Sequence, residues 1–291
     1  MRGHLITHKD CLDGATAALV GWASGLQPTF VEPDGAQSVL ERFIHETPSL
    51  PIFLADVSVP AASYSEWQPH IAWLLDHHAT ALPLAGQAGV TIDVGRAGSR
   101  LMYDFAVSRG WMTPSHAWDR LTAMVQKYDL WQPRHEFGQD LERLFRSCGL
   151  SWYRDRFGRG WVPYTADEAS HLADLVAEEA RFLQRNLSRV HRVAAGNIEV
   201  AGLFMEEEGS INEIAHRLLE QGYGLVIVAK IDRRLSARSD QRVDSADLMA
   251  KLFNGGGHRR AAGGRVPQDL PASEAGLQAI LHDVQAFLAD R

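Results

Sequence analysis

Short apolar runs that end in polar residues recur in the first part of the chain, and each has the length of a β-strand. They occupy residues 5–7, 52–56 and 71–76. Segments with apolar residues at helical spacing lie between the first two runs, at residues 15–23 and 37–44. Alternating strands and helices are typical of a buried parallel sheet covered by helices. We therefore predict a doubly wound, mainly parallel α/β domain, with its functional groups at the carboxyl ends of the strands.

A longer stretch with helical periodicity covers residues 165–193 and begins with a Thr-x-x-Glu capping box. We predict a long helix that links two domains. Beyond it, strand-like runs at residues 198–204, 224–231 and 234–238 are combined with helical spacing at residues 211–220 and 245–253. This pattern predicts a second, smaller α/β domain. The expected boundaries are residues 1–164 for the first domain, 165–193 for the linker helix and 194–291 for the second domain.

Composition and charge narrow the classes of function. The 291 residues are 45% hydrophobic and 22% charged, which is ordinary for a globular protein of one large or two average domains. The formal net charge of -7 argues against a protein that binds duplex DNA, because such a protein needs a broad basic surface. Carboxylates that bind cations would account for part of the acidic excess.

Targeting signals and a disulfide framework are not expected. The chain has two cysteines, Cys11 and Cys148, and its first residues lack the apolar run of a signal peptide. The longest apolar runs have the length of strands, well below the ~20 residues that span a bilayer. We therefore predict a cytoplasmic protein without a membrane segment.

Acidic and histidine residues follow each of the three predicted strands. They are His8, Asp10 and Asp13 after the first, Asp56 after the second, and Asp76, His77 and His78 after the third. Carboxylate oxygen and imidazole nitrogen suit Mn²⁺, Mg²⁺ or Zn²⁺, and neighbouring parallel strands bring distant ligands together. Each residue alone is as well explained as a helix cap, a turn residue or a solvated histidine. The coincidence of three strand ends favours a metal site, for which Asp129 is a weaker additional candidate.

A glycine-rich segment in the second domain is a candidate anion site. Residues 255–264 combine five glycines with two arginines and a histidine. Glycine lets backbone N–H groups approach an anion closely, and a helix that began after the segment would add its dipole. Arg259 and Arg260 would add charge-assisted hydrogen bonds, and Arg238 at the end of a predicted strand is a further candidate. The alternative is a flexible loop with solvated arginines.

Together these motifs resemble the DHH phosphoesterase superfamily, which is named for the sequence that is Asp76-His77-His78 here. The second domain resembles a DHHA1-type domain through the Ser-Ala-Arg-Ser run at residues 236–239 and the Gly-Gly-Gly-His run at residues 255–258. One departure is visible. The family's compact His-x-Asp-x-Asp-Gly run is one residue longer here, from His8 to Gly14, and this bears on Asp10 more than on Asp13.

The resemblance implies a catalytic domain, a linker helix and a substrate-binding domain, with the active site in the cleft between the domains. It implies two divalent cations, expected to be Mn²⁺, with Mg²⁺ or another ion as alternatives. The implied metal ligands are His8, Asp10, Asp13, Asp56, His77 and Asp129. Of these, His8 and Asp10 would bind one cation and Asp56 would be shared by both.

Further roles follow from the same resemblance. Three residues are implied to be catalytic: Asp56, Asp76 and His78. His78 would face the substrate phosphate, and Asp76 would orient the histidines. The residues implied to bind substrate are Arg238, Gly255, Gly256, Gly257, His258 and Arg259.

The expected activity is hydrolysis of very short oligoribonucleotides or linear dinucleotides to nucleoside monophosphates, by a hydroxide that two metal ions activate. Alternatives are a phosphomonoesterase acting on a nucleoside 3′,5′-bisphosphate, a polyphosphatase, or a nucleotide sensor without activity. Trp131, Trp152 and Tyr153 are candidates for stacking on a base, although core packing is the commoner use. The sequence leaves open whether the chain forms a homodimer.

Overall fold

The computed structural model describes residues 3–32, 35–130, 132, 136–207 and 209–289. The chain forms two compact units that divide between Leu172 and Ala173. In the described part of the chain, no helix combines the length and the apolar character needed to cross a membrane.

The first unit is built on a sheet of five parallel strands. The strands are β1 (His4–His8), β2 (Gln27–Val31), β3 (Ile52–Ala55), β4 (Ile71–Asp76) and β5 (Val90–Ile92). The helices are α1 (Leu12–Ala23), α2 (Ala36–Glu46), α3 (Tyr64–Trp67), α4 (Gly98–Ser108), α5 (His116–Asp129), α6 (Glu136–Phe157) and α7 (Ala166–Leu187), the last of which continues into the second unit. The predicted α/β fold with a mainly parallel sheet is confirmed.

Alternating apolar residues explain why helices cover both faces of this sheet. Leu5 and Leu75 pack with α1, α4, α5 and α6 on one face. Their strand neighbours Ile6 and Leu74 pack with α2 and α3 on the other. All four side chains are at most 1% exposed, so these strands appear in the sequence as continuous apolar runs.

The strand order is β2-β1-β3-β4-β5. The chain moves outward from β1 to β2 and then returns to place β3 on the other side of β1. The topological switch point of the sheet is therefore between β1 and β3. In open α/β sheets a crevice forms at this point, outside the carboxyl ends of the strands.

The second unit contains a mixed sheet of six strands in the order β10-β11-β9-β8-β7-β6, in which only β7 and β8 run parallel. The strands are β6 (His191–Ala195), β7 (Ile198–Met205), β8 (Leu225–Lys230), β9 (Arg234–Ser239), β10 (Gly256–His258) and β11 (Ala261–Arg265). The helices are α8 (Ile211–Glu220), α9 (Ser245–Phe253) and α10 (Glu274–Ala289). A smaller α/β unit is thus present, as the sequence predicts.

Two segments differ from the sequence-based expectation. The predicted helix over residues 165–193 ends at Leu187, and His191–Ala195 is instead a strand whose backbone pairs with β7. The glycine-rich segment was expected to lead into a helix, but it forms the β10–β11 hairpin. In both cases pairing with a neighbouring strand, which local sequence does not show, determines the conformation.

Candidate metal centre

The carboxyl ends of β1, β3 and β4 bring together the acidic and histidine residues of the first unit. His8 is the last residue of β1, Asp56 follows β3, and Asp76 ends β4. Asp13 joins them from the first turn of α1 and Asp129 from the last turn of α5. The cluster lies at the switch point of the sheet, where a ligand site is expected.

Asp13 is fixed by the start of α4. Its Oδ2 accepts a hydrogen bond of 2.7 Å from the Gly98 N–H, and its Oδ1 accepts one of 3.0 Å from the Ser99 N–H. The N-terminus of a helix favours a negative charge, so this contact keeps a buried carboxylate in one orientation. Gly98 is needed here, because a Cβ at that position would lie 2.6 Å from the Cβ of Asp56.

Asp56 lies beside candidate ligands from two directions. It adopts a left-handed backbone conformation (φ 61°) and is 2% exposed. Its Oδ1 is 3.1 Å from His77 Nε2. Its Oδ2 is 3.8 Å from His8 Nδ1 and 3.7 Å from the Sγ of Cys11. Each carboxylate oxygen therefore faces a different group of donors.

His77 is surrounded by three carboxylates. Besides Asp56, its Nε2 is 3.5 Å from Asp129 Oδ2 and 3.8 Å from Asp13 Oδ2. Three groups of candidate ligands, each with its donor atoms within 4.8 Å of one another, follow from this arrangement. They are His8 with Cys11 and Asp56; Asp13 with His77 and Asp129; and Asp56 with Asp76, His77 and His78.

Asp76 holds both histidines by its Oδ1. That oxygen accepts hydrogen bonds from the His77 N–H at 2.8 Å and the His78 N–H at 3.3 Å, and it is 2.7 Å from His78 Nδ1. Burial alone would lower the pKa of His78, but the contact with Asp76 and the charge of Asp56 together raise it. Burial would raise the pKa of Asp76, but its contacts with His78 and His77 together lower it. The hydrogen bond between the two side chains orients the half-buried imidazole.

The remaining carboxylates repel one another. Burial, and then the charge of Asp13, raise the pKa of Asp56 well above its ordinary range, and the same two causes raise that of Asp129. The buried Oδ2 of Asp129 has no hydrogen-bond partner among the described residues. Burial lowers the pKa of His8, with a further contribution from His78, which favours the neutral imidazole that binds metals.

This donor set fits divalent cations. Buried carboxylates are stable when they are paired or bind a metal, and here three of them lie around one histidine. Carboxylate oxygen and imidazole nitrogen are ligands for Mn²⁺, Mg²⁺ and Zn²⁺. Asp56 and His77 each belong to two of the groups, so the arrangement suits two neighbouring ions better than one.

Asp10 does not lie with the other predicted ligands. Its side chain is 74% exposed, and its Oδ2 is 3.5 Å from the Nζ of Lys9. The left-handed conformation of Asp10 (φ 52°) accompanies this placement, with the side chain in solvent. Cys11, which was not predicted as a site residue, contacts Asp56 instead. The extra residue between His8 and Gly14 is the sequence signal that could have directed attention to Cys11.

In the second unit, Arg238 lies on β9 and is half-buried. Its Nε donates to Asn212 Oδ1 at 3.0 Å, and its Nη1 donates to the carbonyl oxygen of Ala237 at 2.9 Å. Burial lowers the pKa of this guanidinium. Asn212, on α8, orients it and was not predicted from the sequence.

The glycine segment forms part of the β10–β11 hairpin rather than an open loop. The Gly255 N–H donates to the Met249 carbonyl, and a Cβ on Gly255 would lie 2.0 Å from the Gly263 carbonyl oxygen. Gly256 and Gly257 pair with β11, and Gly257 has a φ of 137°. No helix follows the glycines to add its dipole, because α9 precedes them and the strand β11 follows within the described residues. Their contact with an anion stays a prediction.

The two arginines beside the glycines are exposed. The backbone oxygen of Arg259 accepts hydrogen bonds from the Ser245 N–H and the Ser239 hydroxyl. Arg260 donates through Nε to the carbonyl of Ser239 at 3.2 Å. The His258 backbone belongs to β10, and the side chain of this predicted site residue lies outside what the structure describes.

The candidate stacking aromatics have structural contacts. Tyr153 is fully buried, and its hydroxyl is 2.7 Å from the Thr16 hydroxyl. Trp152 donates through Nε1 to Glu168 at 3.1 Å. Trp131 lies outside the described residues. Tyr153 and Trp152 thus support the packing of the first unit.

Comparison with known proteins adds three findings. Residues 197–290 match the DHHA1 domain. The chain is 24% identical to the oligoribonuclease NrnB of Bacillus subtilis (strain 168), over 89% of this chain and 72% of that protein. Its fold is similar to that of the pGpG-specific phosphodiesterase PggH of Vibrio cholerae, with a TM-score of 0.62 and 14% identity over 99% of both chains.

A further solved structure shares the fold. An exopolyphosphatase-related protein of Bacteroides fragilis gives a TM-score of 0.58 and 15% identity, over 99% of this chain and 93% of that one. At this level of identity the two structural likenesses establish the architecture alone.

Proposed function

We propose that the chain is a hydrolase of the DHH/DHHA1 phosphoesterase type and that it cleaves very short oligoribonucleotides or linear dinucleotides to nucleoside monophosphates. The observation that carries the proposal is the convergence of Asp13, Asp56 and Asp129 on His77. The substrate class is supported by two similar proteins, one named an oligoribonuclease and the other named for pGpG. The acidic net charge fits a short substrate better than a polymer.

Two divalent cations, expected to be Mn²⁺, would occupy the cluster. Asp13, His77 and Asp129 would hold one of them, and His8 would hold the other. Asp56 would be shared, since its two oxygens face the two groups. When bound, such ions supply the Lewis acidity that polarises a phosphoryl oxygen and makes water a nucleophile near neutral pH.

The protein's own side chains would orient the catalytic groups and supply a proton. Asp76 holds His78 through Nδ1, so Nε2 is the nitrogen that would donate a proton to the leaving oxygen or a hydrogen bond to the phosphoryl group. The raised pKa of His78 favours the protonated form that this role needs. Asp13, fixed by two backbone N–H groups, keeps its position through the reaction.

In the second unit, Arg238 is the group that would bind the substrate phosphate. A guanidinium offers two parallel donors that match a phosphate, and the contact with Asn212 sets its plane. Arg259, which is exposed, and the hairpin of Gly255, Gly256 and Gly257 with His258 would provide weaker contacts with the substrate.

The deciding experiment is Mn²⁺-dependent hydrolysis of a 5′-phosphorylated diribonucleotide beside a nucleoside 3′,5′-bisphosphate, with Asp56→Ala as the inactive control. Preferential cleavage of the dinucleotide supports the proposal. Preferential release of phosphate from the bisphosphate would identify a phosphomonoesterase instead. Without metal-dependent turnover of either compound, inorganic polyphosphate and a binding role would be the remaining candidates.

A further inference from the structure

Cys11 occupies the position at which Asp10 was expected. It is the N-cap residue of α1, with an extended backbone (φ -124°, ψ 137°). Its Sγ is 3.7 Å from Asp56 Oδ2, the same oxygen that is 3.8 Å from His8 Nδ1. Sulfur, nitrogen and oxygen from three different elements therefore surround one point.

The spacing of these three atoms suits a metal ion. Bonds of about 2.0–2.3 Å from a tetrahedral ion to nitrogen, oxygen and sulfur place the ligand atoms about 3.3–3.6 Å from one another. The two measured separations are close to that range. The thiol of Cys11 is within reach of a weak S–H···O hydrogen bond to Asp56 Oδ2. The contact between His8 and Asp56 is too long for a hydrogen bond and needs another partner to explain it.

The neighbouring group of Asp13, His77 and Asp129 contains a carboxylate oxygen that is not hydrogen-bonded within the described part of the chain. The buried Oδ2 of Asp129 has no hydrogen-bond partner among the described residues, and it is 3.5 Å from His77, which contacts Asp56. Buried polar atoms nearly always have a hydrogen-bond partner, so a carboxylate oxygen without one in a group of acids suits a cation ligand.

We propose that the Cys11 thiolate, and not the Asp10 carboxylate, completes the protein ligands of the cation held by His8 and Asp56. On binding, the thiol proton passes to solvent and a sulfur–metal bond forms. The inference rests on the metal centre of the proposed function and adds a chemical difference between its two positions. Thiolate sulfur favours Zn²⁺ or Co²⁺ over Mg²⁺, whereas the position of Asp13, His77 and Asp129 has no sulfur ligand.

Cobalt reports this ligand directly, because a thiolate bound to Co²⁺ gives a charge-transfer absorption band in the near ultraviolet that oxygen and nitrogen ligands do not give. The full chain, stripped with a chelator under reducing conditions, is titrated with Co²⁺ and followed by absorption. The wild type and Cys148→Ser should both develop the band, and Cys11→Ser should lose it. Cys148 is exposed and is the only other cysteine, which makes it the matched control.

Two further measurements distinguish metal coordination by Cys11 from a purely structural role of this residue. Asp10→Asn should keep the band, and Cys11→Ser should bind Co²⁺ at least about tenfold more weakly, since even indirect metal contacts have effects of that size. In the Cys148→Ser background, Zn²⁺ should protect Cys11 from alkylation. That test leaves Cys11 unchanged and does not depend on how a Cys11 variant folds.

The outcomes distinguish this inference from the proposed function. Visible d–d bands of bound Co²⁺ without the charge-transfer band in the wild type, or alkylation that Zn²⁺ does not slow, would overturn the role of Cys11 and leave the metal centre in place. Absence of any Co²⁺ or Mn²⁺ binding by the wild type would overturn both.

Discussion

Polar groups find their partners differently in two regions of the protein. One region is the metal centre of the first unit, and the other is the arginine and glycine region of the second unit. Asp13, Asp56 and Asp129 are crowded together in a buried cluster, and Asp129 retains an oxygen without a hydrogen-bond partner among the described residues. In the second unit, Arg238 and the Gly255 N–H already donate to protein oxygens.

This difference predicts how each region responds to its ligand. A cation entering the first region removes repulsion and forms new bonds, so binding gains free energy from both. A phosphate that reaches the second region must compete with existing hydrogen bonds, so the net gain is small. Substitutions should therefore have larger effects in the first region than in the second.

The largest effect is expected for Asp56→Asn. The substitution removes the charge that both cation positions share, and turnover of a diribonucleotide should fall by about 10³-fold at saturating Mn²⁺. Steady-state kinetics with a metal titration would measure it. Asp10→Asn is the control, because that carboxylate is exposed, and its turnover should stay close to that of the wild type. Equal losses in both variants would contradict the assignment of Asp56.

A smaller loss, of about 10–100-fold, is expected for Asp76→Asn. Asp76 supplies the contacts that raise the pKa of His78 against burial. Without them the pKa of His78 falls, and the protonated imidazole is lost at lower pH. The alkaline side of the pH–rate profile should therefore move to lower pH than in the wild type. An unchanged profile with reduced turnover would mean that Asp76 is structural and that His78 does not supply a proton.

In the second unit, Arg238→Lys should raise KM by about tenfold and change kcat much less, since lysine keeps the charge and loses the paired donors. Arg242→Lys is a suitable control, because Arg242 is bonded to Asp240 at the surface. A fall in kcat comparable to that of Asp76→Asn would show that Arg238 acts on the transition state, and the contrast between the two regions would then disappear.

The sequence was informative about the first region for a physical reason. Parallel strands end at one edge of their sheet, so His8, Asp56 and His77 could be expected to lie near one another. Their role as ligands remains a prediction. The contact of Asp13 with Gly98 and Ser99 was not predictable, since it depends on how α4 docks across 85 residues of sequence.

Local sequence was not sufficient to predict residue positions that depend on backbone conformation or on strand pairing. The left-handed conformation of Asp10 places its side chain in solvent and leaves Cys11 beside Asp56. The glycines at residues 255–257 suit a phosphate loop and a tight hairpin equally well, and only the pairing with β11 selects the hairpin.

The smallest expected effect concerns the free energy of unfolding of the metal-free protein. Its sign is unusual, because a substitution in the site is expected to stabilise the protein. Burial and Asp13 raise the pKa of Asp129 in the folded protein. The folded state therefore binds a proton more tightly than the unfolded state, and the contribution of this group to stability falls as pH rises above the ordinary aspartate pKa of about 4. Asp129→Asn removes the charge that causes this loss.

The metal-free Asp129→Asn protein should therefore be more stable than the metal-free wild type at neutral pH, by about 1 kcal/mol, and the difference should shrink in acid, where Asp129 is protonated. With Mn²⁺ the order should reverse, because the wild type gains more from binding the ion. Urea unfolding at several pH values, with chelator and with Mn²⁺, measures both. If Asp129→Asn is less stable than the wild type under every condition, the carboxylate is a structural group and the crowding of acids is not relieved by a cation.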